Sequence, residues 1–305
     1  MFRQDRTNPS TAVSNWRGRH DTPKGWPTTA VSTWLNGGLF GAPLTAFGGI
    51  ITQYTDSGTT YRVHTFRGSG KFYVSSGSAK VDWLLVAGGG GTGVGGGGAG
   101  GVLGSIAGAS GATVASGKYS VSAGTYTIVV GAGGTAGDTS DSGVSNGVDS
   151  TAFGYTAVGG GRNAGGAGQT GGSGGGGYPG SAAGSGTANQ GYDGESAGGG
   201  GGGGGNAEAG GTDGTGQGGD GALHWGITAT AVGYAGGGGT GDYNTGVRKV
   251  GGLYGGGDGG NNADDAQAGL PNTGGGAGGR DITGVSQPGR QGGAGIFLIR
   301  YEVTV

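Results

Sequence analysis

Carboxylates are the side chains in this sequence best suited to bond chemistry. Asp264 and Asp265 are adjacent, and Asp193 and Glu195 are two apart, so either pair could form the two-carboxylate couple of a glycoside hydrolase. Loop acids this close together are usually just solvated, and no further catalytic pattern accompanies them. The three histidines, His20, His64 and His224, are scattered, and no HExxH string offers a zinc site. Gly210-Gly-Thr-Asp-Gly-Thr-Gly-Gln-Gly218 has part of a calcium β-roll nonapeptide but lacks its apolar residue and its repetition. GxG strings occur throughout and mean nothing for nucleotides without a strand–helix context. With no cysteine, thiolate nucleophiles, thiolate zinc sites and disulfides all drop out. The expectation is a non-enzyme with no catalytic residue, no metal site and no cofactor.

The elements available to position any site are dominated by one residue: 92 of 305 are glycine. Glycine loses more backbone freedom on folding than any other residue and buries no side chain. The region is either disordered or held by a dense array of backbone hydrogen bonds. Collagen is excluded, because the glycines run together without a Gly-X-Y period and there are only 7 prolines. Glycine can instead form an extended left-handed helix with three residues per turn, rising about 3.1 Å per residue. Such rods make no internal hydrogen bonds, so they must satisfy one another laterally. Gly159-Gly-Gly161, Gly165-Gly-Ala-Gly168, Gly171-Gly-Ser-Gly-Gly-Gly-Gly177 and the eight glycines 198–205 suit such rods.

The residues around the glycine-rich stretch have a different character. Tyr61-Arg-Val-His-Thr-Phe66 and Lys71-Phe-Tyr-Val74 read as strands joined by a hairpin-like Arg67-Gly-Ser-Gly70. Val81-Asp-Trp-Leu-Leu-Val86 is apolar almost throughout, as in a strand buried on both faces. Tyr119 to Val121, Thr125-Tyr-Thr-Ile-Val-Val130, Ile296-Phe-Leu-Ile-Arg-Tyr301 and Val303 to Val305 supply further strands. No 3.6-residue stripe or capping box appears, so almost no α-helix is expected. The fold expected is all-β: a β-sandwich from residues 51–135 and 295–305, with an inserted polyglycine II bundle over 136–294.

Residues 1–50 read as an extended N-terminal docking arm. Thr11-Ala-Val-Ser-Asn-Trp16 recurs as Thr29-Ala-Val-Ser-Thr-Trp34, and Trp16, Trp26 and Trp34 look like anchors for pockets on another protein. Residues 1–80 carry nine Lys/Arg against three Asp, whereas residues 81–295 carry six Lys/Arg against fourteen Asp/Glu. A basic head and an acidic body suggest two different partners. The basic residues lack the density of a nucleic-acid surface. No run of about 18 apolar residues would insert in a membrane, and the N-terminus has no signal-peptide pattern.

Several strings resemble the glycine-rich domain of bacteriophage tail-fibre and adhesin proteins. They are Val81-Asp-Trp-Leu-Leu-Val-Ala-Gly-Gly-Gly-Gly91, Gly95-Gly-Gly-Gly-Ala-Gly-Gly101, Tyr126-Thr-Ile-Val-Val-Gly-Ala-Gly-Gly134, Asn272-Thr-Gly-Gly-Gly-Ala-Gly-Gly279 and Gly292-Gly-Ala-Gly-Ile-Phe-Leu-Ile-Arg-Tyr301. A looser similarity is to the distal adhesins of T-even-like phages, whose polyglycine II tips contact receptors through end loops. The resemblance implies a virion protein made in a host cytoplasm and located in the tail or fibre. Its arm would dock on other virion proteins, its loops would meet a host glycan or outer-membrane protein, and a homotrimer is an open assembly. The loop residues implied are Tyr178, Tyr192, His224, Trp225, Tyr234, Tyr243, Tyr254 and Asn261. The chief alternative is a purely structural virion subunit, such as a capsid decoration, nozzle or fibre adaptor. A surface-glycan depolymerase and an ice-binding protein are further alternatives, and neither has a matching sequence feature.

Overall fold

The computed structural model describes residues 43–106, 117–224, 227–241, 246–261, 264–281 and 288–303. The arm candidates Trp16, Trp26 and Trp34 lie outside these residues, as do Trp225 and Tyr243. Among the described residues every regular element is a strand and none is a helix, so the fold is all-β.

Seven strands form an antiparallel sheet curled about its longest member, β4 (Gly70–Val86). The first half of β4 lies between β1 (Thr45–Phe47) and β6 (Tyr119–Ile128). Its second half pairs with β11 (Ile296–Glu302) and β5 (Val102–Gly104). Beyond β11 come β3 (Thr59–Phe66) and the edge strand β2 (Ile50–Asp56). The register slips between Val74 and Ser78, where Gly77 takes φ 80°, a left-handed conformation that L side chains rarely adopt. The two halves of the sheet face each other there, with His64 of β3 meeting Phe72 of β4 edge-on at 5.0 Å.

The expected hairpin between residues 61–66 and 71–74 does not form. β3 pairs with β2 and β11, and the chain crosses to the opposite half of the sheet after Phe66. The two strand segments expected within residues 71–86 are one strand, as are the two expected within 119–130, where the strand ends at Ile128. The sheet also starts earlier than the expected boundary at residue 51, because Thr45–Phe47 is already paired.

Side chains fill two clusters. Phe66, Phe72, Trp83, Leu85, Phe297 and Ile299 lie between the halves of the sheet. Val63, Leu84, Val86, Ile296 and Leu298 point to the other face, where they meet Ala99, Ile227, Tyr234 and Ala235. Successive residues of a strand point to opposite faces, so Val81–Val86 is buried throughout because both faces are covered. The second cover comes from the glycine-rich region.

That region is organised by backbone hydrogen bonds with a period of three. Along residues 87–92, successive N–H groups donate to the carbonyls of Gly101, Val148, Gly293, Gly98, Ser145 and Arg290, at 2.8–3.1 Å. Partners three apart therefore belong to one neighbouring segment, which runs in the opposite direction. The carbonyls of the same rod accept from segments 134–137, 160–163 and 277–280, which run in its own direction. A flat strand presents donors and acceptors on two sides only, whereas this segment bonds to six surrounding segments. Residues 96–101 repeat the pattern, with donors to 201–204, 274–277 and 158–161. The rods thus include residues 87–102, which the sequence division assigned to the sandwich.

The close approach leaves no space for side chains. A Cβ on Gly97 would overlap the Gly90 carbonyl, and one on Gly238 the Ala277 carbonyl. The few polar side chains inside are tied to backbone: Thr92 Oγ1 donates to the Gly278 carbonyl (2.8 Å) and Ser173 Oγ to that of Gly205 (3.0 Å). Asn163 accepts from the Gly95 N–H (3.0 Å) and donates to the Gly176 carbonyl (2.7 Å).

Candidate functional site

Rod direction sorts the turns into two groups. Residues 87–92 leave the sheet at the end of β4, and residues 96–102 return to it at β5, so the turn at 93–95 marks the end away from the sheet. Segments 134–137, 160–163 and 173–176 also run outward, which puts the turns at 138–143, 164–167 and 178–181 at that far end. Segment 254–257 runs outward beside 236–239 and ends at Asn261.

Local chemistry fixes these far turns. Ser181 donates its N–H to the Tyr178 carbonyl (2.7 Å) across Pro179 and Gly180, the latter at φ 76°. Proline followed by a left-handed glycine is the signature of a type II turn. Asp138 Oδ1 accepts from the N–H groups of Ser140 and Ser142 (2.8 and 3.0 Å). Asn261 Oδ1 accepts from the Asp264 N–H (2.7 Å). Of the eight-glycine run, Gly198 and Gly199 form a turn with open space around them, and the rod proper is 201–205.

Two ion pairs bind far turns to rods. Arg280 meets Asp141 through two bonds (3.0 and 3.2 Å), and both side chains are nearly buried. Arg290 reaches Asp265 at 3.0 Å. Between the turns at 178–182 and 196–198 lies an open depression of about 270 Å³, lined by Gly180, Ser181, Ala182, Ser196, Ala197 and Gly198. Its walls offer hydroxyls and backbone groups, and Tyr178 belongs to the same turn as Gly180 and Ser181.

The residues expected to bind a receptor do not share one surface. Tyr178 and Asn261 lie at the far end, where Asn261 also builds its own turn. Tyr192 and Tyr254 are exposed, but they begin outward rods and so lie at the sheet end. His224 and Tyr234 are a correction: both are buried and cannot touch a partner directly. They belong to a hairpin of β9 (Ala222–His224) and β10 (Val232–Tyr234), where the rings stand 6.0 Å apart. Tyr234 covers the second face of the sheet, and burial raises its phenol to about 12. Burial lowers His224 to about 4, and among the described residues neither ring nitrogen has a partner.

Of the acids considered for glycoside chemistry, Asp265 pairs with Arg290, and Asp193 and Glu195 serve the backbone. Asp193 Oδ1 accepts from the Gly186 N–H (2.8 Å), and Glu195 Oε2 from those of Gly202 and Gly216 (3.2 and 2.6 Å). Sequence reading missed a different trio, Glu208, Asp213 and Asp220, whose carboxylate oxygens lie within 4.8 Å of one another. Burial raises the Glu208 carboxyl above its usual range, and the charges of Asp213 and Asp220 add to it. Oxygen donors of this kind suit a hard cation, but Glu208 and Asp220 already accept from the Asp220 and Leu253 N–H groups (3.2 and 2.6 Å). Neither this trio nor the Asp141–Arg280 pair has a sequence signal, because only the rods bring the members together.

Residues 64–302 match the family model described as a glycine-rich domain. The chain belongs to the glycine-rich domain family. The match takes in the rods and the strands β4, β5, β6 and β11, and leaves out β1, β2 and most of β3. No curated protein matches the chain.

Proposed function

We propose that this glycine-rich protein is a bacteriophage virion component, a tail fibre or receptor-binding adhesin. In this reading the rods form a polyglycine II bundle and the turns at their far end meet the host cell surface. The observation that carries the proposal is the three-residue alternation of hydrogen-bond partners around residues 87–92. A threefold backbone with lateral bonding is what polyglycine II requires, and it offers short turns on a rigid support, a favourable place for recognition. The resemblance of the glycine strings to tail-fibre and adhesin proteins supports the same reading. The N-terminal arm, with Trp16, Trp26 and Trp34, would hold other tail proteins. The receptor would be a surface glycan or outer-membrane protein, met by Tyr178 and the depression beside it.

Adsorption measures the receptor role. Virions in which residues 178–181 and 196–199 are replaced by Ser/Gly turns of equal length should adsorb to the host at least tenfold more slowly. Unchanged adsorption by virions that still incorporate the variant would remove the receptor role. The second reading, a structural virion subunit, is favoured by the small polar character of the far turns, where Tyr178 is the one aromatic residue described. High copy number per virion, together with no block of adsorption by isolated protein, would select it.

A further inference from the structure

Two small hairpins lie outside the main sheet, and they are held in different ways. In β7 (Ser150–Ala152) and β8 (Tyr155–Ala157), Thr151 exchanges both backbone bonds with Val129 (2.9 Å each), and Ser150 Oγ donates to the Val86 carbonyl (2.8 Å). That hairpin is bonded to its surroundings. The hairpin of β9 and β10 is bonded to itself: among the described residues, no backbone hydrogen bond joins 222–224 or 227–234 to a rod or to the sheet. Its ties lie at its two feet. There Gly221 donates to the Leu253 carbonyl (3.0 Å), Ala235 to that of Thr273 (2.8 Å), and Asn206 to that of Ala235 (2.9 Å). Between the feet only side chains hold it, with Ile227 and Tyr234 in one apolar cluster with Val63, Leu84 and Leu298 of the sheet.

Backbone strain gathers at the same place. Ala235, at the exit foot, has φ 66°, and Tyr254, whose carbonyl accepts from the Gly236 N–H (3.3 Å), has φ 67°. Residues with a Cβ rarely adopt this region, and such outliers collect at switch elements. The Tyr254 ring also rests on Gly233 of β10, where a Cβ would overlap it.

His224 makes this attachment conditional. It is buried, and neither ring nitrogen has a partner among the described residues. Tyr234 faces it across the hairpin, and the charge of Arg67 reaches Tyr234. Asp220, just before β9, accepts from the Leu253 N–H (2.6 Å), and Glu208 from the Asp220 N–H (3.2 Å). On the sheet, Val63, Leu84 and Leu298 do not titrate, and Asp82 is paired with Arg300 (2.6 Å) and Lys118 (3.3 Å). An imidazolium at His224 would therefore find no acceptor without moving to water.

We propose that the β9–β10 hairpin is an acid-released lid, which leaves the second face of the sheet when His224 takes up a proton, while the rods and the rest of the sheet stay folded. Release uncovers the apolar strip of Val63, Leu84 and Leu298. The lid is independent of the adhesin reading. Buried His224 titrates near 4 and hydrated His224 near 6.5, so the open form binds more protons and acid favours it. Between pH 7 and pH 5 the open fraction should rise about 20-fold.

The absence of cysteine lets a single thiol report on the lid. In full-length Val63→Cys the thiol sits in the cluster that the hairpin closes. It should react with dithiodipyridine, which modifies thiols in acid, about 20-fold faster at pH 5 than at pH 7. Each rate is divided by that of Val148→Cys, at an exposed position. Val74→Cys, buried between the halves of the sheet, should stay protected at both pH values. Adding His224→Leu to Val63→Cys should remove the rise. Adding Ile227→Ala instead should raise the rate at pH 7 and keep its dependence on pH. No rise at Val63→Cys, an equal rise at Val74→Cys, or a rise that survives His224→Leu would each overturn the proposal.

Discussion

The sheet and the glycine rods bury their backbones by opposite means. In the sheet, Trp83, Phe72 and Phe297 fill the space between strands, and each has a shape that neighbours accommodate. In the rods, backbone lies directly against backbone, with a few polar side chains such as Thr92, Asn163 and Ser173 tied into it, and inner segments are surrounded by others at hydrogen-bond distance. A side-chain core is adaptable, because its atoms sit on rotatable bonds and a truncation leaves a cavity that partly collapses. A backbone core has no such freedom: its spacing is set by the hydrogen bond itself, and one added methyl group has nowhere to go.

That contrast can be broken or sharpened by mutation. The largest effect is expected from Gly97→Ala, whose Cβ would overlap the Gly90 carbonyl. We expect a loss above about 5 kcal/mol, an exceptional size for a single methyl, read as failure to accumulate soluble protein or as collapse of the urea midpoint. Next is Trp83→Ala, which empties a fully buried site stacked on Tyr155 at 4.5 Å and should cost about 4 kcal/mol in urea unfolding. A smaller loss marks the boundary between the two regions. The unfolded chain protonates His224 near pH 6.5, and the folded chain only near 4. Stability therefore falls as pH drops from about 6.5 toward 4, by roughly 3 kcal/mol. His224→Leu should flatten that part of the pH dependence relative to the parent, and equal slopes would remove the assignment. The smallest effect is expected at Gly198→Ala, in a turn with open space, at within about 0.5 kcal/mol. If Gly97→Ala proved as mild as Gly198→Ala, the contrast between the two cores would fail.

The sequence made some of this legible and hid the rest for physical reasons. Val81-Asp-Trp-Leu-Leu-Val86 and Ile296-Phe-Leu-Ile-Arg-Tyr301 announced themselves because strands covered on both faces must be apolar throughout, and they are adjacent in the sheet. The pairing of β3 with β11 rather than β4 was not legible, since a four-residue Gly/Ser connection serves a hairpin and a crossover alike. Glycine runs signalled rods, but glycine at 88–101 and glycine at 198–199 look the same in sequence. Only the first set is enclosed, while the second turns in the open. His224 and Tyr234 had the composition of a recognition loop, yet both are buried in one hairpin, and Tyr234 covers the second face of the sheet. An aromatic residue between glycine runs does not reveal which end of the bundle it occupies. That depends on whether an even or odd number of rods precedes it.

The three-residue repetition of partners also acts as a reading frame for change. Deleting one residue from an inner rod such as 87–92 would shift all that follows out of this repetition and hand each N–H to the wrong neighbour. A deletion of three would restore the partners and shorten the rod by one layer. Because the chain must return to the sheet to form β11, whole rods can be gained or lost only two at a time. Length variation in this architecture is therefore confined to the turns, to steps of three, and to outward-and-back pairs.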